Sequence, residues 1–127
     1  MAKILVVEDG IFLRDLYKQI LEAEKYSVDV AVDGVQALNM LLKGGYSLVL
    51  LDIKLPKMDG LTVLEKLHEQ APQQANGPVF ILTCDDAETS RLQGMKLGAT
   101  KYLIKSNITP GQLVQEVKKT LEEKIGI

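Results

Sequence analysis

Apolar positions along the chain switch repeatedly between two periods. Ile4-Leu5-Val6-Val7 is a continuous apolar run, and Phe12, Leu13, Leu16, Tyr17, Ile20 and Leu21 then recur at helical spacing. Ser27 to Val32 alternates as a strand does, with Val28, Val30 and Val32 on one face. Val35, Leu38, Leu41 and Leu42 return to helical spacing, and Gly44-Gly45 marks a helix stop. Leu48 to Leu51 predicts a third strand. Leu61, Leu64 and Leu67 predict a helix capped by Asp59 that stops before Pro72. Beyond the polar loop Gln73 to Gly77, Val79 to Leu82 predicts a fourth strand. Leu92, Met95 and Ala99 predict a helix ending near Gly98, and Tyr102 to Ile104 a fifth strand. A last helix, with Leu113, Val114, Val117 and Leu121 on its apolar face, is expected to run from an N-cap at Thr109 and Pro110 to the terminus.

The order is strand then helix, five times over. This predicts an α/β fold of (βα)5 type: a doubly wound, five-stranded parallel sheet with right-handed crossovers. The first, third and fourth strands are the most continuously apolar, as strands covered on both faces are, and belong in the centre. The second carries Ser27 and Asp29 and reads as an edge.

Composition narrows the functional classes. A chain of 127 residues fits one domain spanning 1–127. The net charge of -2 gives no reason to expect direct nucleic-acid binding or a membrane surface as a partner. One cysteine, Cys84, excludes an intrachain disulfide framework. The chain enters its first strand with no leader pattern, and no apolar stretch approaches the roughly 20 residues of a membrane span, so a cytoplasmic location is expected.

The chemistry collects at strand ends. Asp52 follows the run Leu48 to Leu51 and precedes Ile53-Lys54-Leu55-Pro56, so a buried strand delivers one acid to the rim of the sheet. Glu8 and Asp9 follow the first strand, Thr83 ends the fourth with Cys84, Asp85 and Asp86 behind it, and Lys105 ends the fifth. In a parallel sheet these ends share one rim, where ligands of open α/β folds bind. Three carboxylates suit a hard divalent cation such as Mg²⁺, which keeps part of its water shell. A cation and a lysine together stabilise phosphoryl oxygens, and a carboxylate can itself be the nucleophile that forms an acyl phosphate.

With these residues in this order, the chain resembles the receiver domain of two-component response regulators, the CheY-like group, over residues 3 to about 124. The resemblance rests on Glu8-Asp9, Asp52, the run Pro56-Lys57-Met58-Asp59-Gly60, Thr83, Tyr102 and Lys105. It implies a flavodoxin-like sheet with strand order 2-1-3-4-5. It implies that Asp52 accepts a phosphoryl group from the phosphohistidine of a sensor histidine kinase or a histidine phosphotransfer protein. Asp9, Asp52 and the Lys54 backbone carbonyl would then ligate Mg²⁺ (or Mn²⁺), with Glu8 acting through water. Lys105 would pair with phosphoryl oxygens, and Thr83 and Tyr102 would switch. The face of the fourth helix, fifth strand and fifth helix would then change for a downstream protein target, in a monomer or a weak homodimer. Such a domain catalyses its own phosphorylation and slow dephosphorylation but does not turn over a free metabolite.

The chain also departs from the family. Ser106 stands where the family usually has a proline after a cis bond; a cis bond without proline costs about 3–4 kcal/mol, so Lys105–Ser106 is expected to be trans, with an altered loop to Thr109. Cys84 is larger than the usual residue after the threonine, and a Lys54–Asp85 contact across the mouth is expected to slow dephosphorylation. Two rival readings follow. A small aspartyl phosphohydrolase would need an acid where Lys54 stands. A degenerate receiver would be a phosphate-independent interaction module. His68 is expected to be a plain solvated histidine, and Cys84 a small packed thiol.

Overall fold

The computed structural model describes residues 2–124, and side chains as far as residue 122. Its strands are β1 (Lys3–Val7), β2 (Ser27–Ala31), β3 (Leu48–Leu51), β4 (Val79–Thr83) and β5 (Lys101–Ile104). Five α-helices follow them in turn: α1 (Ile11–Ala23), α2 (Gly34–Lys43), α3 (Gly60–Glu69), α4 (Glu88–Lys96) and α5 (Pro110–Lys124). The strands pair in parallel in the order β2-β1-β3-β4-β5. The three most apolar strands are therefore internal and β2 is an edge, as their composition predicts. The sheet and its helices have the flavodoxin-like arrangement.

Alternation along the central strands sorts side chains into two cores. Ile4, Val6, Leu48, Leu50, Phe80 and Leu82 point to one face and pack on α1 and α5 through Tyr17, Leu21, Leu113 and Val117. Leu5, Val7, Val49, Leu51 and Ile81 point to the other and meet Ala37, Leu41, Val63 and Leu64 of α2 and α3. The period of two is the pleat itself.

Helix ends follow local chemistry. Asp33 and Asp59 cap α2 and α3 by accepting from Gln36 N and Thr62 N, both at 2.8 Å. Thr109 and Gln112 form a reciprocal capping box at the start of α5, 3.1 Å one way and 2.9 Å the other. Gly44 closes α2 at φ 77°. Helix α5 is described to Lys124, so the expectation that it reaches the terminus falls partly outside the described residues.

Three expectations need correction. Val32 lies beyond β2, and Ala31 is the strand's second buried residue. Phe12, 77% exposed, belongs to the open side of α1. The apolar positions used to predict α4 do not form its buried face: Leu92 is 55% exposed, Met95 38%, and Ala99 lies past the helix. The buried residue of α4 is Gly94. A Cβ there would stand 2.5 Å from Ile81 Cδ1, so close approach of the helix backbone to the sheet replaces an apolar stripe.

A second close approach sets the site. A Cβ on Gly60 would lie 2.2 Å from the backbone oxygen of Asp52. Gly60→Ala is expected to lower the urea unfolding midpoint, by about 1–3 kcal/mol in stability, because backbone rather than a flexible side chain must move. Gly111→Ala in α5, where nothing lies within 4 Å of the new Cβ, serves as the control and should not lose stability.

Candidate functional site

Register brings the acids together. Val7 pairs with Leu51, so the next residues, Glu8 and Asp52, leave adjacent strands side by side. The ladder runs on into them: Asp52 N donates to Val7 O at 3.2 Å, and Glu8 N to Ala31 O at 3.1 Å. Thr83 pairs with Ile104, the last residue of β5, which sets Lys105 one step past the strand as the first residue of a short 3-10 turn, Lys105–Asn107. The expected rim of Glu8, Asp9, Asp52, Thr83 and Lys105 is thus present at one end of the sheet.

The Lys105 ammonium lies between two buried carboxylates. Its Nζ donates to Glu8 Oε1 at 2.5 Å and to Asp52 Oδ2 at 2.7 Å. Glu8 is 4% exposed and Asp52 5%. Burial alone would lower the lysine's pKa, but the hydrogen bonds to Asp52 and Glu8 outweigh it and the value is raised. The other carboxylate oxygens meet backbone donors. Glu8 Oε2 accepts from Gly10 N at 3.0 Å, and Asp52 Oδ1 from Lys54 N at 3.3 Å. Asp9 is exposed, and one oxygen each of Glu8, Asp9 and Asp52 lie within 4.8 Å of one another. Two ligands facing each other across a Mg²⁺ stand about 4.2 Å apart, so these oxygens fit a shared cation with small adjustments. Lys54 enters the site here through its N–H.

Thr83 and Tyr102 stand on the opposite pleat parity from Asp52 and Lys105. Thr83 is fully buried, and its Oγ1 accepts from Asp85 N at 3.2 Å. The Tyr102 hydroxyl donates to Asp85 O at 2.6 Å, so both expected switch residues hold the same loop. Burial, with the nearby acids Asp85, Asp52 and Asp86, pushes the Tyr102 hydroxyl up to about 12.

Some expectations for the rim change. Among the described residues Lys54 and Asp85 form no ion pair. Asp85 accepts instead from Ala87 N at 2.9 Å and Ser90 Oγ at 2.8 Å, and these bonds, with a smaller contribution from Lys54, hold its pKa down. Cys84 is exposed rather than packed. Lys105–Ser106 is trans, as expected without proline. His68 is exposed, yet its Nε2 stands 2.5 Å from Leu97 O and ties α3 to the end of α4. Arg14, which sequence reasoning passed over, donates from Nη1 to the backbone oxygens of Glu8 at 3.4 Å and Asp9 at 3.3 Å. Its signal was a basic residue one turn into the helix that follows an acid pair.

The raised values of Lys105, Tyr102 and Tyr46 set an alkaline dependence. In each case the folded state keeps a proton that the unfolded chain loses, so stability is whole below a pH of about 10 and falls as pH rises above it. Unfolding by urea across that range should show the decline, and Lys105→Met should make it shallower while leaving the share of the tyrosines. The same substitution should cost about 3–5 kcal/mol at neutral pH, because it leaves two buried carboxylates without a cation.

Comparison with known proteins agrees with this geometry. Residues 4–118 match the family described as the response regulator receiver domain. The transcriptional regulatory protein SrrA of Staphylococcus aureus is 35% identical over 119 residues, 94% of this chain and 47% of SrrA, so the chain spans about half the length of that relative. A CheY-like receiver domain protein from Methanospirillum hungatei JF-1 superposes with a TM-score of 0.88 at 31% identity, covering 99% of this chain and 98% of that one. The response regulator TrrA of Thermotoga maritima, solved in complex with Mg²⁺-BeF, gives 0.78 at 33% identity over 94% of this chain and 99% of its own. A buried acid at the end of β3, bridged by the lysine that follows β5 and flanked by an acid pair after β1, thus sits in a chain that belongs to the response regulator receiver domain family, the phosphoacceptors of two-component signalling.

Proposed function

We propose that Asp52 is the phosphoacceptor of a Mg²⁺-dependent switch. The observation that carries this reading is the Asp52 carboxylate itself, 5% exposed, 2.7 Å from the Lys105 ammonium and grouped with Glu8 and Asp9 within 4.8 Å. Asp9 and Asp52 would hold the cation, with the Lys54 carbonyl as a third protein ligand and Glu8 acting through water. Bound there, Mg²⁺ supplies positive charge against the oxygens of the transferring group.

The residues of the chain do the rest. An Asp52 oxygen attacks phosphorus, the phosphorus–nitrogen bond of a partner's phosphohistidine breaks, and an acyl phosphate remains. Lys105 exchanges its bond to the free carboxylate for one to a phosphoryl oxygen. The Thr83 hydroxyl, now accepting from Asp85 N, turns to donate to the phosphate. That releases one of the two bonds tying the loop after β4 to the strand residues Thr83 and Tyr102; the Tyr102 bond to Asp85 O is the second. Coupled movement of the two would be a two-state shift biased by new charge-assisted hydrogen bonds. The exposed Leu92 and Met95 give the α4 side of the molecule an apolar surface for a downstream protein. The donor would be a sensor histidine kinase or a histidine phosphotransfer protein in the cytoplasm.

TrrA, solved with Mg²⁺-BeF, supports the cation and phosphoryl reading by likeness. Incubation with acetyl phosphate and Mg²⁺, followed by intact-mass measurement, tests it. The expected result is addition of one phosphoryl group, abolished by chelation with EDTA and by Asp52→Ala. A wild-type chain that takes up no phosphoryl group would instead favour the phosphate-independent interaction module.

A further inference from the structure

Two residues with polar ends, Lys105 and Tyr17, border one space behind the acid site. The Lys105 ammonium has three N–H donors; Glu8 takes one and Asp52 another. The Lys105 side chain is only 11% exposed, so the third donor is not free in bulk water. The second group is the hydroxyl of Tyr17, a residue 7% exposed on α1. That hydroxyl makes no hydrogen bond among the described residues, and its oxygen is not sealed from solvent.

Tyr17 and Lys105 line the same cavity of about 140 Å³, set between α1, the Lys105–Asn107 turn and the start of α5. The walls are otherwise mostly apolar: Leu13, Leu16, Ile108, Pro110 and Leu113. Thr109 also borders the space, but its hydroxyl oxygen already caps Gln112 N. A cavity of this size with polar groups on its wall admits water.

We propose that Tyr17 is a positioning residue for Lys105: across this cavity, through a bridging water, its hydroxyl takes the third ammonium N–H and fixes the lysine against Asp52. The pleat agrees, because Lys105 and the α1 face of the sheet share one parity. The charge balance agrees as well. Burial pushes the Tyr17 hydroxyl up, the Lys105 ammonium pulls it down, and Glu8 and Asp52 push it up again, with a raised net value. The hydroxyl therefore stays neutral and able to accept from a cation at physiological pH. The consequence for phosphoryl uptake rests on the reading of Asp52 as phosphoacceptor.

Tyr17→Phe keeps the buried ring and deletes only the oxygen, and Tyr26→Phe is the control for loss of a hydroxyl elsewhere. The deciding measurement is the hydrogen exchange of the Lys105 ammonium, followed by NMR on protein labelled at lysine Nζ. Wild type should show a protected ammonium, Tyr26→Phe the same, and Tyr17→Phe exchange about tenfold faster, the scale of one bond to a charged group. Phosphoryl uptake from acetyl phosphate should fall by a similar factor, with the thermal midpoint little changed. Exchange in Tyr17→Phe equal to wild type overturns the proposal, as does a wild-type ammonium exchanging like an exposed lysine. A wild type that takes up no phosphoryl group defeats the Asp52 reading instead, and the exchange measurement still decides the role of Tyr17.

Discussion

One buried ammonium between two buried carboxylates holds the functional end of this molecule together. Glu8 and Asp52 leave neighbouring strands with their charges close, and in a poorly solvated place two such charges repel strongly. Lys105, from the far side of the sheet, lies between them at 2.5 and 2.7 Å. It arrives there because β5 ends one residue earlier and turns through a 3-10 segment. Arg14 adds positive charge from α1, at the backbone oxygens of the acid pair. Three carboxylates against these two cations still leave a negative excess, which is the condition that attracts a divalent ion to oxygen ligands.

The pleat divides labour across the sheet. Asp52 and Lys105 have the parity of the α1 and α5 side, while Thr83 and Tyr102 have the parity of the α3 and α4 side. Charge is handled on one face and loop position on the other, and the two meet only at the rim. On the proposed reading, a change in charge at Asp52 would reach the loop after β4 through Thr83 without disturbing either core.

Much of this was legible along the chain because it rests on period and order. Continuous apolar runs identified β1, β3 and β4 as central, and a reactive residue directly after each run fell on the rim by the geometry of a parallel sheet. Caps at Asp59 and Thr109 were readable because side-chain oxygens bind the first free N–H groups of a helix. What was not legible depended on distance rather than pattern. Helix α4 meets the sheet through Gly94, which no hydrophobic scale marks as buried. Asp85 satisfies its carboxylate locally, with Ala87 and Ser90, where its place in the family pattern had suggested a contact with Lys54. Tyr17 read as one more apolar position of α1, and only the cavity beside Lys105 distinguishes its oxygen from a methyl group.

The way α4 is seated has a wider meaning. A helix that touches the sheet through a glycine, with Leu92 and Met95 turned outward, commits few of its own side chains to the core. Substitutions on its outer surface therefore leave the interior undisturbed, and that surface is free to diverge toward new binding specificities while the acid rim keeps its chemistry.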